Sequence, residues 1–185
     1  MKLVIAMTGA SGAIYTQRLL DNLDPAQHEL HFIWTRHATE VADLELPGGL
    51  RVPDGVRRYE ENGSMFVPFV SGSARFDAMV IIPASMGTIG RIANGSSDST
   101  IARAADVFLK ERRKLILVPR ESPYNLIHLR NMTTLTEAGA LILPASPGFY
   151  HRPQTIPQLV DGIIARVLDH LGIPHHLARR WQSPE

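Results

Sequence analysis

The chain of 185 residues contains no cysteine. That excludes disulfides, thiolate nucleophiles and cysteine–zinc sites, and it points to a cytoplasmic setting. An excess of either charge is also missing: 19 Lys and Arg stand against 18 Asp and Glu, so no bulk basic field marks a nucleic-acid partner. No apolar run approaches the roughly 20 residues of a membrane-spanning helix, and no membrane partner is expected. The first such run, Leu3 to Met7, is followed at once by glycine and serine and is too short for a signal peptide. His31, His37, His128, His151 and His170 share no metal-ligand spacing, and the pair His175-His176 reads as part of a polar tail, so no metal site is expected. What remains, 44% hydrophobic and 20% charged residues, is the composition of an ordinary globular protein, sized for one domain over 1–185.

Apolar runs alternate with helical patterns along the chain. "KLVIA" into Met7 is a continuous run of the kind buried on both faces of a sheet, and Ala13 to Leu23 repeats apolar residues at helical spacing. "HELHFIWT", His28 to Thr35, reads as a second strand, and "RHATEVADLEL" as a short helix. "PGGLRVPDG" has three glycines and two prolines in nine residues, and irregular chain is expected from there to about Ala74. "DAMVIIPAS", "KLILVPRE" and "ALILPAS" are further strands; Met86–Ala93, Thr100–Arg113, Asn125–Ala138 and Ile156–Leu171 are helices, the last stopped by Gly172. Five strands alternating with helices predict an α/β fold: a Rossmann-like three-layer sandwich with a mainly parallel sheet and helices on both faces. Ligands in such sheets bind beyond the carboxyl ends of the strands. Those ends read "TGASG", "TRHA", "PASMGT", "PRESP" and "PASPGFYHRP", rich in Gly, Ser, Thr, Pro and Arg.

The turn after the first strand lacks most of what a nicotinamide site requires. Gly9-Ala10-Ser11-Gly12 has two glycines where a dinucleotide fingerprint has three. No acid ends the second strand; Thr35-Arg36 stands there instead. None of Tyr15, Tyr59, Tyr124 or Tyr150 has a lysine four residues on, and no G-K-[ST] occurs. The turn could simply reverse the chain, but Ser11 puts a hydroxyl beside the N–H groups of a helix start, which suits a phosphate or a polar ring edge.

Four motifs in order, "MTGASGAIY", "IIPASMGT", "RAADVFLKERRKLILVPRESP" and "PGFYHRPQ", resemble the UbiX-type flavin prenyltransferases, part of a wider flavoprotein group that includes flavin-dependent cysteine decarboxylases. The resemblance implies a homo-oligomer, a dodecamer, with sites between subunits. It implies FMN as the flavin, dimethylallyl phosphate as the prenyl donor, no metal, and a UbiD-type decarboxylase as recipient of prenylated FMN. Carried over by position, Gly9, Ala10 and Ser11 contact the flavin, Thr35 its phosphate, and Ser85, Met86, Gly87 and Thr88 wrap it. Arg120 faces flavin and donor, while Lys110, Glu121, Tyr150 and Arg166 complete the donor site. Ser11, Glu45 and Glu121 are the implied catalytic group, with Glu45 at a proton-transfer position. Ala84 stands where the family often has cysteine, and Met65 where an aromatic often faces the dimethylallyl group.

Each of these residues also has a plainer reading. Lys110 in "LKERRK" suits a solvated helix end, Glu121 a helix cap, Glu45 a loop acid, and Arg166 the polar face of an amphipathic helix. Two other functions are open. One is an FMN-dependent cysteine decarboxylase-like flavoprotein, although the chain has no "PxMNxxMW" loop and no histidine after the "GASG" turn until His28. The other is a non-catalytic flavin carrier.

Overall fold

The structure is a computed structural model that describes residues 1–177. Its strands are β1 (Lys2–Met7), β2 (Glu29–Trp34), β3 (Arg57–Glu60), β4 (Ala78–Ala84), β5 (Lys114–Pro119) and β6 (Leu141–Ile142). The helices are α1 (Ala13–Asp21), α2 (Arg36–Glu45), α3 (Met86–Ala93), α4 (Thr100–Lys110), α5 (Leu126–Glu137) and α6 (Ile156–Leu171). All pairings are parallel, in the order β3-β2-β1-β4-β5-β6. The chain winds outward from β1 to β3, then crosses back to β4. The gap between the carboxyl ends of β1 and β4 is therefore the topological switch point, where such sheets open a crevice.

Successive residues of β1 point to opposite faces, and the two faces have separate cores. Leu3, Ile5 and Met7 pack with Leu19 and Leu20 of α1 and Ile164 and Leu168 of α6. Val4 and Ala6 pack with Ile89 of α3, Ile101 and Phe108 of α4, and Leu135 of α5. Arg18 of α1 grips Asp161 of α6 through two hydrogen bonds of 2.7 and 2.8 Å, locking the first layer laterally.

The structure departs from the sequence pattern where the chain is polar or interrupted. The stretch expected to be irregular up to Ala74 holds the edge strand β3, "RRYE", and a single 3-10 turn at Pro68–Val70. The strand has one neighbour and mostly exposed residues, so it carries no apolar run. "ALILPAS" is regular strand only at Leu141–Ile142, although Leu143 N–H and Ala145 N–H go on donating to Leu117 and Pro119 C=O, both at 2.9 Å, past the proline between them. The fourth helix ends at Lys110, and Arg112 follows in the left-handed region at φ 56°. The expected polar tail is partly tucked in: His175 Nε2 lies 3.2 Å from Asp169 Oδ1, and Leu177 packs on the core.

Candidate active site

Three helices begin at the crevice, each capped by its own hydroxyl side chain. Thr35 accepts from Ala38 N–H at the start of α2, Ser85 from Thr88 N–H at α3, and Ser99 from Ala102 N–H at α4. These residues, with Thr8, Gly9, Thr88, His37 and Arg91, line a cleft of about 380 Å³. Thr8 ties its walls together: its hydroxyl donates to Pro83 C=O and accepts from Ser85 N–H, both at 2.8 Å. Gly9 is where α2 crosses closest to the turn. A Cβ there would lie 2.5 Å from His37 Cβ, so the glycine is needed for this approach of the two segments.

Two carboxylates from distant parts of the chain close other helix ends. Glu45, the last residue of α2, accepts from Gly12 N–H at 2.8 Å and Ala13 N–H at 2.7 Å. It thus fills the anion position at α1 that the turn and Ser11 had suggested for a phosphate. Gly12, at φ 111°, is the N-cap and offers no side chain of its own. Glu61, just past β3, accepts from Thr100 N–H and Ile101 N–H at 3.1 and 2.8 Å, closing α4. Among the described residues, no carboxylate sits on the N–H groups at the starts of α2 and α3, and a helix start of this kind attracts anions.

Beside the cleft lies a second group. Tyr15 on α1 is half-buried, and burial raises its phenol pKa while the nearby Arg120 guanidinium opposes the rise. Tyr15 also packs against Gly12, in the turn that carries Ser11 and that Glu45 closes from the end of α2, and so stands between that turn and Arg120, just past β5. The sequence marks Tyr15 only as an aromatic residue in the first turn of α1.

The expected residues thus fall into three sets. Gly9, Thr35, Ser85 and Thr88 share the cleft, with Met86 buried and Gly87 exposed in the first turn of α3. Ala10, Ser11, Glu45 and Arg120 surround the neighbouring turn. Lys110 and Arg166 are elsewhere: each sits ten residues from its helix start, about 15 Å at the α-helical rise, toward the amino-terminal end of the sheet. Lys110 pairs with Glu111 at 2.5 Å beside Gly72, and Arg166 pairs with Asp169 at 2.9 Å. Glu121 does not cap α5, which Asn125 and His128 close between them; its carboxylate accepts from Ser122 N–H instead. Tyr150 is 62% exposed, stacked edge-on against His151. Met65 is half-exposed, Phe66 beside it is fully exposed, and Ala84 is buried. Among the described residues no cluster of three or more His, Asp or Glu could hold a metal ion, and no helix is long and apolar enough to cross a membrane.

The Flavoprotein family model matches residues 1–168. The flavin prenyltransferase UbiX of Pseudomonas aeruginosa is 45% identical, with 97% of this chain and 93% of that protein covered. Among solved structures, a dodecameric FMN-dependent UbiX-like decarboxylase from Escherichia coli O157:H7 superposes with a TM-score of 0.89 at 40% identity, covering 99% of this chain and 100% of that one. AnUbiX (PadA1), solved in complex with FMN and dimethylallyl pyrophosphate, gives a TM-score of 0.91 at 37% identity, covering 100% of this chain and 98% of that one. An all-parallel sheet opening at its switch point, three hydroxyl-capped helix starts on one cleft, and agreement with these proteins along nearly the full length lead to one conclusion: the chain belongs to the Flavoprotein family, and within it to the UbiX-type flavin prenyltransferases.

Proposed function

We propose that this chain is a metal-independent prenyltransferase, acting as a single flavoprotein domain, that joins a dimethylallyl group from dimethylallyl phosphate to N5 and C6 of reduced FMN. The observation that carries this reading is the convergence of Gly9, Thr35, Ser85 and Thr88 on one cleft. The donor set fits FMN: hydroxyls and helix-start N–H groups suit a phosphate and a polyol chain, and the Gly9–Ser11 turn with Arg120 suits the polar edge of the ring. Bound there, FMN supplies the nucleophilic nitrogen and carbon.

The protein's own groups do the rest. Arginine and lysine side chains stabilise the phosphate as it leaves. Closure at C6 releases a proton, and Glu45, one turn from the cleft, accepts it with Ser11 as relay. Glu121 orients a cation of the donor site. Lys110 and Arg166 lie about 15 Å along their helices from the helix starts and pair there with Glu111 and Asp169, so a single chain does not gather them with Arg120 around one phosphate. A site shared between neighbouring copies resolves this, and so favours a homo-oligomer, with the dodecamer of the Escherichia coli relative as its form. The exposed Phe66, Ile127, Phe149 and Ile156 supply apolar surface for such contacts. The product goes to a UbiD-type decarboxylase in the cytoplasm.

Anaerobic incubation with reduced FMN and dimethylallyl phosphate, read by mass spectrometry, tests the reaction. A flavin bearing one five-carbon unit is expected; tight FMN binding without that product would make the chain a flavin carrier. A parallel arm with the diphosphate sets the donor preference. Co-assembly of inactive Lys110→Ala and Arg120→Ala chains tests the shared site. About a quarter of randomly mixed sites would regain both cations, whereas a site within one chain would regain none.

A further inference from the structure

The cleft walls carry one strong cation that no motif accounts for. Arg91 lies on α3, and its Nη1 sits 3.6 Å from the position a Cβ on Gly87 would occupy. The guanidinium is thus folded back over the first turn of α3, at the cleft end of the helix. Its partner is Asp98, also in the cleft wall, at 3.5 Å through Nε. That contact is long and single, between side chains 53% and 60% exposed, so it holds the arginine loosely. Among the described residues, the other charged or titratable groups lining the cleft are His37 and Glu61, and Glu61 is fixed by the N–H groups of α4.

We propose that Arg91 recognises the 5′-phosphate of FMN, turning to it from its resting partner Asp98. The inference rests on the FMN reading above and assigns a residue to it. A phosphate monoester carries about −1.5 to −2 charge near neutral pH. Thr35 and the N–H groups at the start of α2 supply donors and half a dipole charge, while Arg36, the first residue of α2, pairs with Glu40 at 3.2 Å and does not line the cleft. His37 adds a full positive charge only when protonated. Arg91 is always charged, and its planar fork can take two phosphate oxygens while the long stem swings from Asp98. Asp98 keeps the guanidinium at the cleft mouth, yet competes with the ligand and repels it. The pair therefore sets discrimination between FMN and the same flavin without its phosphate.

The test is fluorescence titration of the wild-type protein, Arg91→Gln and Asp98→Asn with FMN and with riboflavin, at low and high salt. Arg91→Gln is expected to weaken FMN by about 10- to 100-fold, the range of one charged hydrogen-bonded contact. Riboflavin affinity should be unchanged by the same substitution, which also shows that the fold and the ring site are intact. Asp98→Asn should tighten FMN at low salt and leave riboflavin alone. Equal losses for both flavins, or no loss for either, would overturn the role of Arg91. A wild-type protein that bound neither flavin would overturn the FMN reading itself, and this inference with it.

Discussion

Replacing Glu45 by alanine removes the carboxylate that accepts from Gly12 and Ala13 N–H at the start of α1. Two backbone donors lose their partner, and the favourable end of the helix dipole loses its counter-charge. Loss of a capping side chain costs about 0.5–2 kcal/mol. Two charge-assisted bonds push toward the upper part of that range, while exposure of Glu45 lets water replace them. A net loss of about 1.5 kcal/mol corresponds to a fall in Tm of about 3–6 °C in a chain of this size. The emptied helix start should then take a small anion. At five times its Kd, phosphate would return about 1 kcal/mol to the alanine variant and much less to the wild type. Glu45→Gln separates the two roles of the residue. The amide keeps one acceptor for the backbone but cannot accept a proton, so Tm should fall by less than in the alanine variant while prenylated product forms about 100-fold more slowly. Thermal unfolding with and without phosphate, and mass spectrometry of the product, read the two effects. An alanine variant that melts like the wild type and ignores phosphate would refute the cap; a glutamine variant of normal rate would move the proton to Ser11 or to the leaving phosphate.

Arg18→Ala strands Asp161, whose side chain is only 10% exposed, and should cost about 3 kcal/mol, whereas Arg18→Met with Asp161→Leu should recover most of that in a denaturant titration. His31 is fully buried among Tyr59, Phe69 and Phe76, with Glu29, Lys2 and Arg57 as its charged neighbours, and burial holds its pKa below the ordinary 6.5. The folded state therefore binds this proton less readily than the unfolded one, so stability is full above pH 6.5 and declines as pH falls toward the lowered value; chemical denaturation at pH 7.5 and 5.5 should show the decline in the wild type and a smaller one in His31→Leu. Gly9→Ala puts a Cβ 2.5 Å from His37 Cβ, and the overpacking should cost about 1–3 kcal/mol and weaken FMN binding; an alanine variant with wild-type Tm and affinity would show that the turn gives way freely.

The buried strands and the helices between them were legible in the sequence, because β1, β4 and β5 are continuous apolar runs and each helix has a clear apolar stripe or cap. The edge strand β3 was not, since a strand with one neighbour and polar residues on both faces has no periodicity to read. The cleft hydroxyls at Thr35, Ser85 and Thr88 followed from their place at strand ends. The carboxylates of Glu45 and Glu61 did not reveal what they cap: each reaches a helix that starts 33 to 39 residues away, and no local pattern encodes that meeting. Arg91 carries no signal in the sequence either, because only the folded chain shows its guanidinium lying back toward Gly87.

The two margins of the sheet share a property that bears on how copies can join. At one margin β3 presents the exposed side chains of Arg57, Arg58 and Glu60, and Arg57 is already tied to Glu29 at 2.9 Å. At the other, β6 is two residues long and Pro144 follows it closely. Neither margin offers a long, flat row of free N–H and C=O groups on which another strand could be laid. Copies of this chain cannot zip together into a growing ribbon. Contact is left to helices and loops, above all to α5, where Leu126, Ile127 and Leu129 face outward and Leu135 is buried. Side-chain surfaces of that sort meet only where their shapes match, unlike a bare strand edge, which any second edge can extend.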